Sequence, residues 1–527
     1  MIPTSKGFAD VDGDYIADAK LDPRYSEPED IWQAVRSGDV RLLRMTWIIA
    51  WADGDGILAR RQDLPEEAFI SIGELVEIHE AAGSNPDGVL PIISISFCWD
   101  TPAHPDPTGA QLRTVAATMR REREKYCAPS SRSQVQFWGF QEMGVFWDWA
   151  SLYQKDPARW HACCGGETYK PPTARTVEEA AAAAAYEASR NDQEYESFQR
   201  ALKGTMDLWY AHRGVVVYLL TKLPPGSRRT NGYSASGWTT YERCCAEQIK
   251  KLSLLAAKFE LLVDLGEEAE HELQALSEPD KGSANVCTAS SRKRNWPVAP
   301  EDFDELIDSK TFTNGADRAS VKMLYRRMST AIFGGIMELG FHGMPPLDVA
   351  QASQLGRCLN LCTNLVQLDL QGVGLNNESC AALFAALAKR ALPNLHSLRL
   401  DNNHIGDSGL CALAETWTAK SLPMLQLHLK GITASDAAIK TTKDAVEANA
   451  TTREASGLVW RYVGDAEPIQ GSQLSNERLE MALMEKTKFT QSEWNGFAVH
   501  LEGGFLRMTH FVRSGDRYFQ PVHLDRA

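Results

Sequence analysis

The chain has 527 residues, 43% of them hydrophobic, and a formal net charge of −14 at pH 7. This length is too great for one ordinary domain, and this apolar content is enough for several hydrophobic cores. The acidic balance argues against general binding to nucleic acids or anionic membranes, so we expect no nucleic-acid partner and no membrane partner.

The eleven cysteines occur singly or in adjacent pairs and never form a C-x-x-C pair. The adjacent pairs are Cys163–Cys164 and Cys244–Cys245. This usage is typical of neither a disulfide framework nor a zinc knuckle, and it favours a reducing compartment. We therefore expect a cytoplasmic protein with no metal site and no resident cofactor.

The first 87 residues divide by composition. Residues 1–30 are acidic and poor in aliphatic side chains, which predicts a loosely held N-terminal arm. In residues 31–87 the apolar positions recur at helical spacing, which predicts two or three helices that lead into the next domain. These positions are Ile31, Val35, Leu42, Leu43, Ile70, Ile72, Leu75, Val76 and Ile78.

Residues 88–335 alternate between strand-like and helix-like segments, which indicates an α/β domain with a parallel sheet. The predicted helices are Gln111–Tyr126 and Glu194–Tyr210, and between them the insertion 155–192 holds an alanine-rich spacer helix. The predicted parallel strands are Leu90–Phe97, Gly144–Trp149, Val215–Leu220 and Phe259–Leu265.

A candidate site follows the third of these strands. After a polar loop, Ser236-Gly237 predicts a helix start, which places Trp238 and Glu242 four residues apart on one helical face. Because parallel sheets bind their ligands beyond the carboxyl ends of the strands, an aromatic ring and a carboxylate would share one cleft there. The alternative is an amphipathic helix with Trp238 in the core and Glu242 in solvent.

Three short motifs stand in order along this block. They are Ile95-Ser96-Phe97-Cys98-Trp99, the segment from Asp148 to Gln154, and Trp238 followed four positions later by Glu242. In this order they resemble the strand motifs and the Trp/Glu motif of TIR domains and of the related fungal heterokaryon-incompatibility (HET) domains. The resemblance implies a flavodoxin-like (TIR-like) parallel sheet, NAD as a substrate, Glu242 as the catalytic carboxylate and self-association through the α/β domain.

The residue types suit this chemistry. Loss of nicotinamide from NAD develops positive charge on the ribose, and one carboxylate such as Glu242 stabilises it, because the leaving group is already cationic. Phe97, Trp99 and Trp238 would supply apolar walls, and Asp148 would bind a ribose hydroxyl or else only cap a strand end. Two departures from the resemblance are the proline-rich loop 100–107 and the insertion after Gln154.

Residues 336–450 contain a thirty-residue repeat that starts at Leu365, Leu395 and Leu425. The turn that contains Asn403 resembles leucine-rich repeats of the ribonuclease-inhibitor type, which implies a short solenoid whose concave strand face binds a protein partner. The alternative is an ordinary solvated face. The residues predicted on that face are Gln367, Asp369, Ser397, Arg399 and His428.

Residues 456–527 combine strand-like aromatic segments with one helix-like segment, 476–484, and are predicted to form a small α+β module. The module faintly resembles a WWE domain, and its aromatic residues suit a small core.

Two functions follow from the whole sequence. The first is an intracellular signalling or immune-type protein, in which a TIR-like NAD hydrolase is coupled to partner-binding repeats. The second is a non-catalytic scaffold in which both regions bind proteins, since one fold serves many functions.

Overall fold

The computed structural model of the chain describes the following residues: 21–82, 88–127, 140–164, 170–248, 261–266, 295–312, 317–341, 344–420, 422, 426–454, 460–463, 497–502, 505–510 and 523–526.

Six strands form the larger sheet: β1 (Leu42–Arg44), β2 (Phe69–Ile70), β3 (Ile92–Phe97), β4 (Gly144–Phe146), β5 (Val216–Leu220) and β6 (Leu262–Asp264). Their order is β2-β1-β4-β3-β5-β6, and the last four are parallel to one another. Every residue of β3 and β5 is buried, as expected for central strands covered on both faces. The predicted mixed α/β class and the four parallel strands are confirmed.

The segment 31–87 contains three helices, in line with the predicted two or three, but it also contains the strands β1 and β2, which were not predicted. Leu42 and Leu43 pair with Ile70 and Phe69, and Leu43 also pairs with Val145 of β4, all antiparallel. For Leu42 and Leu43 the helical spacing therefore gave the wrong prediction. As a strand, this segment pairs with the free edge of β4, which satisfies its backbone N–H and C=O groups and keeps both leucines buried. This segment is therefore part of the α/β unit.

The N-terminal part of the chain contains helices α1 (Pro23–Ser26), α2 (Glu29–Arg36), α3 (Met45–Asp53) and α4 (Ile72–Ala81). Part of the predicted arm is also docked, since Tyr25 on α1 is buried and its hydroxyl donates to Asp207 Oδ2 at 2.6 Å. Arg24 and Arg327 pair with the same carboxylate.

The remaining helices of the α/β unit follow its parallel strands. They are α5 (Ala110–Cys127), α6 (Asp148–Ser151), α7 (Val177–Glu187), α8 (Asp192–Gly204), α9 (Met206–Ala211), α10 (Gly237–Ala246), α11 (Pro300–Asp308) and α12 (Asp317–Gly335). The helix predicted over 194–210 is two helices, α8 and α9, which meet at Thr205. Its backbone φ of −131° is not helical, and its hydroxyl donates to the Ala201 carbonyl and accepts from Trp209 Nε1.

A second sheet of four parallel strands has the order β10-β9-β8-β7. Its elements are β7 (Glu338–Gly340), α13 (Val349–Leu359), β8 (Gln367–Asp369), α14 (Asn377–Ala385), β9 (Ser397–Arg399), α15 (Asp407–Lys420), β10 (Gln426–His428) and α16 (Asp436–Glu454). Leu368 pairs with Leu398, and both are buried. The parallel stacking expected from the thirty-residue period is confirmed.

The turn after β9 is closed by Asn403, as predicted. Its amide Nδ2 donates to the carbonyls of Leu370 at 2.7 Å and Leu400 at 2.9 Å, and its Oδ1 accepts from the Leu375 backbone N–H. One buried side chain thus ties two neighbouring repeats together. Leu425, where the third repeat starts, lies outside the described residues.

Helices α11 and α12 connect the two sheets. Phe303 of α11 stacks on Tyr325 of α12 with ring centroids 3.7 Å apart. Asp302 of α11 pairs with Arg357 of α13 at 2.7 Å. The second sheet is therefore in direct contact with the α/β unit.

In residues 456–527 the structure describes four strands: β11 (Trp460–Val463), β12 (Phe497–Glu502), β13 (Phe505–His510) and β14 (His523–Arg526). β11 pairs with β14 and β12 with β13, both antiparallel. The helix predicted over 476–484 lies outside the described residues.

Candidate functional site

The candidate site lies at the carboxyl ends of β3, β4 and β5. From β3 the chain crosses to β4 on one side and then to β5 on the other. Such a reversal opens a crevice at the carboxyl edge of a parallel sheet, where ligands bind. Ser96, Phe97 and Trp99 end β3 or follow it, and Asp148 follows β4.

Helix α10 carries Glu242 to the end of β3. The helix starts at Gly237, where an added Cβ would lie 2.0 Å from the ring of Phe312, so only glycine permits this close approach. The Thr239 hydroxyl fixes the preceding loop by donating to the Tyr233 carbonyl at 2.5 Å. One turn further on, the Glu242 side chain meets β3.

Hydroxyl groups bind the Glu242 carboxyl. Ser96 Oγ donates to Glu242 Oε2 at 2.6 Å, and the Tyr233 hydroxyl lies 2.5 Å from the same Ser96 oxygen. The Tyr210 hydroxyl also lies beside Glu242, and it donates to the Ile95 carbonyl at 3.2 Å. Only 6% of Glu242 is exposed, so the carboxyl is buried next to these hydroxyl groups.

The electrostatics of this cluster favour a neutral Glu242. Burial raises the pKa of Glu242 well above its ordinary value, and the charge of Asp148 raises it further, while the hydroxyl groups of Ser96 and Tyr210 lower it in part. Burial therefore favours the protonated form of Glu242 in the closed site.

Asp148 is the second carboxyl of the site and begins the short helix α6. Its Oδ2 accepts from Trp99 Nε1 at 3.0 Å, and its Oδ1 accepts from the Trp149 backbone N–H at 2.6 Å. Loss of solvent around the carboxyl raises the pKa of Asp148 to about 6, although the two hydrogen bonds oppose the shift. At pH 7 Asp148 is therefore mainly ionised.

The aromatic residues predicted to line the site divide into two groups. Trp99 is half-buried, bonds to Asp148 and packs edge-on against Trp149, while buried Phe97 packs edge-on against Trp147. Trp238 instead donates to Asp317 Oδ2 at 3.0 Å and packs against Tyr241. The structure thus brings Glu242, Asp148 and Trp99 together and places Trp238 against α12.

Residues 221–235, which we call the Tyr233 loop, cover this cluster. Arg229 Nη1 donates to the Trp99 carbonyl at 2.9 Å, and the Arg228 backbone N–H donates to Asp100 Oδ1 at 3.1 Å. Ser227 Oγ also hydrogen bonds to Asp100. The loop is therefore attached to the residues that follow β3 at one end and to the Glu242 cluster through Tyr233 at the other.

Sequence reasoning missed the roles of Ser96, Tyr210 and Tyr233. Ser96 stands inside the strand motif, so its position just before the carboxyl end of a buried strand was a usable signal. Tyr210 and Tyr233 lie 32 and 9 positions before Glu242 in the sequence, and no periodic pattern connects them to it.

The predicted partner-binding face lies on β8, β9 and β10. Gln367 is half-buried and His428 is exposed, whereas Asp369 and Ser397 are buried. Arg399 bridges Asp369 at 3.2 Å and Asp401 at 3.5 Å. Asp369 therefore serves the fold, and the surface of this face is formed by Gln367, Arg399 and His428.

The described residues contain no group of three His, Cys, Asp or Glu side chains placed to hold a metal ion. None of the helices in the described part of the chain combines the length and the apolarity needed to cross a membrane. No protein-family profile matches the chain, and no curated protein matches its sequence significantly.

Proposed function

We propose that the α/β unit is a flavodoxin-like, TIR-like domain that cleaves NAD to nicotinamide and ADP-ribose. The observation that carries this proposal is the buried Glu242 carboxyl, bound to Ser96 at the carboxyl edge of the parallel sheet and next to the Asp148 carboxyl. Two carboxyl groups in one apolar site, with pKa values raised to different degrees, are typical of sites that work on glycosidic bonds.

In this mechanism Glu242 stabilises the ribose as it becomes cationic. The resting, neutral carboxyl cannot do so, so the Tyr233 loop has to move and Glu242 has to lose its proton. The positive charge of the bound nicotinamide ring favours that ionisation. Asp148, held by Trp99, would accept a hydrogen bond from a ribose hydroxyl.

The second sheet would supply the partner. We propose that residues 336–450 form a short leucine-rich-repeat solenoid, whose face with Gln367, Arg399 and His428 binds a protein. Because α11 and α12 link this region to the α/β unit through direct contacts, binding there can bias the NAD site. The whole chain would then act as a signalling or immune-type protein.

Nicotinamide release tests the proposal. The parent should produce nicotinamide from NAD, and Glu242→Gln should not, because the amide keeps the shape but cannot carry the charge. The rate in the parent should rise with pH as Glu242 loses its proton, over a range above the ordinary titration range of a glutamate because burial raises its pKa.

Glu247→Gln is the matched control. It lies on the turn after α10 and is buried, but its carboxylate binds Arg243 and Asn295 instead of the cluster. This variant should keep the activity. Equal loss of activity in both variants would contradict a special role for Glu242.

The alternative is a non-catalytic scaffold, and the closed site favours it. Only 6% of the surface of Glu242 is exposed, the Tyr233 hydroxyl bonds to its partner Ser96, and a site that stays closed would not admit NAD. A protein without nicotinamide release, in the parent and after Tyr233→Ala has removed the cover, would favour the scaffold.

A further inference from the structure

We propose that Cys163 and Cys164 form a peroxide-sensitive dithiol that closes to a disulfide between adjacent residues. They lie in the insertion between α6 and α7, on a short 3-10 turn, Ala162–Cys164. The two sulfur atoms are 3.9 Å apart, and His161 Nδ1 lies 3.1 Å from Cys163 Sγ. This proposal is independent of the NAD chemistry.

The two thiols have different surroundings. Cys163 is buried, and its sulfur contacts the Glu179 carbonyl on α7 at 3.5 Å as well as His161. Cys164 is half-buried and is the sulfur that an oxidant reaches first. Burial raises the pKa of Cys164, and nearby Arg175 lowers it in part, so its oxidation is expected to be faster at higher pH.

The reaction balances with hydrogen peroxide as the oxidant. The Cys164 thiolate attacks one peroxide oxygen, the O–O bond breaks, and the released hydroxide takes up a proton to become water. Cys164 is then a sulfenic acid. His161 Nδ1 takes the Cys163 proton, and the resulting thiolate attacks the Cys164 sulfur. The S–O bond breaks, and the leaving hydroxide takes the proton from His161 as a second water.

The product is easily reduced. Consecutive Cα atoms are about 3.8 Å apart, which is shorter than the usual span of a disulfide, and such strained bonds have high reduction potentials. Closure also competes with the contact between the Cys163 sulfur and the Glu179 carbonyl on α7. A reversible, regulatory modification fits these properties better than a structural bond.

The chain contains its own control in Cys244–Cys245. This second adjacent pair lies on α10, where neighbouring helical side chains point in different directions. Burial raises the pKa of Cys244 and that of Cys245. This pair should stay reduced under conditions that oxidise Cys163 and Cys164.

To test this, the full-length protein is treated with hydrogen peroxide and then unfolded, and the remaining thiols are alkylated. The masses of the peptides are then measured. The peptide with Cys163 and Cys164 should lose two hydrogens and take no alkyl group, while the peptide with Cys244 and Cys245 should take two. Dithiothreitol should restore both thiols. Alkylation of Cys163 and Cys164 in full, or equal oxidation of the two pairs, would overturn the proposal.

Three variants test the assigned roles. Cys163→Ser should leave a Cys164 sulfenic acid that dimedone traps, whereas Cys164→Ser should leave Cys163 unreacted because it is buried. His161→Asn should slow disulfide closure about tenfold and lengthen the life of the sulfenic acid. If Cys164→Ser still gives a dimedone adduct at Cys163, or His161→Asn closes at the parent rate, the roles are wrong.

Discussion

Two buried carboxyl groups, Glu242 in the α/β unit and Asp369 in the second sheet, are similarly shielded from solvent but differently partnered. Their exposed fractions are 6% and 3%. Asp369 binds the guanidinium of Arg399 at 3.2 Å and the Gln371 backbone N–H at 2.8 Å. Glu242 binds hydroxyl groups and lies near a second acid, Asp148.

The partners of a buried carboxylate distinguish a structural group from a functional candidate. A cation and a backbone donor compensate the desolvation of Asp369, so its charge is compatible with the fold. Ionised Glu242 has no compensating cation among these partners, so its charge would lower the stability of the fold. Carboxyl groups whose pKa values are strongly raised and that have no structural ion pair are found mainly at functional sites.

The largest effect is expected for Leu398→Asp in the second sheet. Leu398 is fully buried between Leu368 and Leu427 of the neighbouring strands, and a new carboxylate there has no cation. The free energy of unfolding should fall by about 4 kcal/mol, measured by chemical denaturation. Leu398→Met, of similar volume, should cost less than about 1.5 kcal/mol. Equal stability of Leu398→Asp and the parent would show that this sheet is wrongly described.

The next effect concerns the partner of Asp369. Arg399→Met should lower the free energy of unfolding by about 2 kcal/mol. This is less than for a fully buried ion pair, because 28% of the Arg399 side chain is exposed. Adding Asp369→Asn should recover part of the loss, because the amide needs no counter-charge. If the double variant is no more stable than Arg399→Met, the bridge does not stabilise the sheet.

The third prediction concerns the dependence of stability on pH. The folded-state pKa of Glu242 is raised above its unfolded value, so its contribution is fully present at acidic pH and is lost as the pH rises above about 4.5. Glu242→Gln should therefore gain thermal stability relative to the parent between pH 5 and pH 8. A constant difference in melting temperature over this range would contradict the assignment of the proton.

The smallest effect is expected for Tyr233→Phe. This change removes one hydroxyl at the end of the chain from Tyr233 through Ser96 to Glu242, and it should cost about 1 kcal/mol of stability. The weaker cover should increase nicotinamide release at low NAD concentration. Tyr210→Phe is the comparison, because Tyr210 lies outside the covering loop and should give no such increase.

Much of the α/β unit could be predicted from the sequence. The run from Val215 to Leu220 has no polar interruption, so its place in the middle of a parallel sheet follows from local composition. The same holds for the leucines of β8 and β9, whose thirty-residue period is visible without a structure. In contrast, Leu42 and Leu43 fit a helix as well as a strand, and only the free edge of β4 decides between them.

The site was predictable only in part. Glu242 and Asp148 could be found because each follows a buried strand, and parallel strands bring such positions together. The orientation of the Trp238 side chain depends on its hydrogen bond to Asp317, which lies 79 residues later in the sequence. The burial of Glu242 depends on how the Tyr233 loop folds against β3. Burial of Asp369 and Ser397 likewise depends on the curvature and packing of the whole sheet.

The protonation state of Glu242 is the most direct test of the contrast between the two carboxyls. Infrared spectra of the parent and of Glu242→Gln at pH 7 should differ by the carbonyl stretch of one protonated carboxylic acid, which shifts in D2O. Asp369→Asn should remove no such band, because Asp369 is paired with Arg399. A difference spectrum for Glu242→Gln that contains only carboxylate bands would contradict the account.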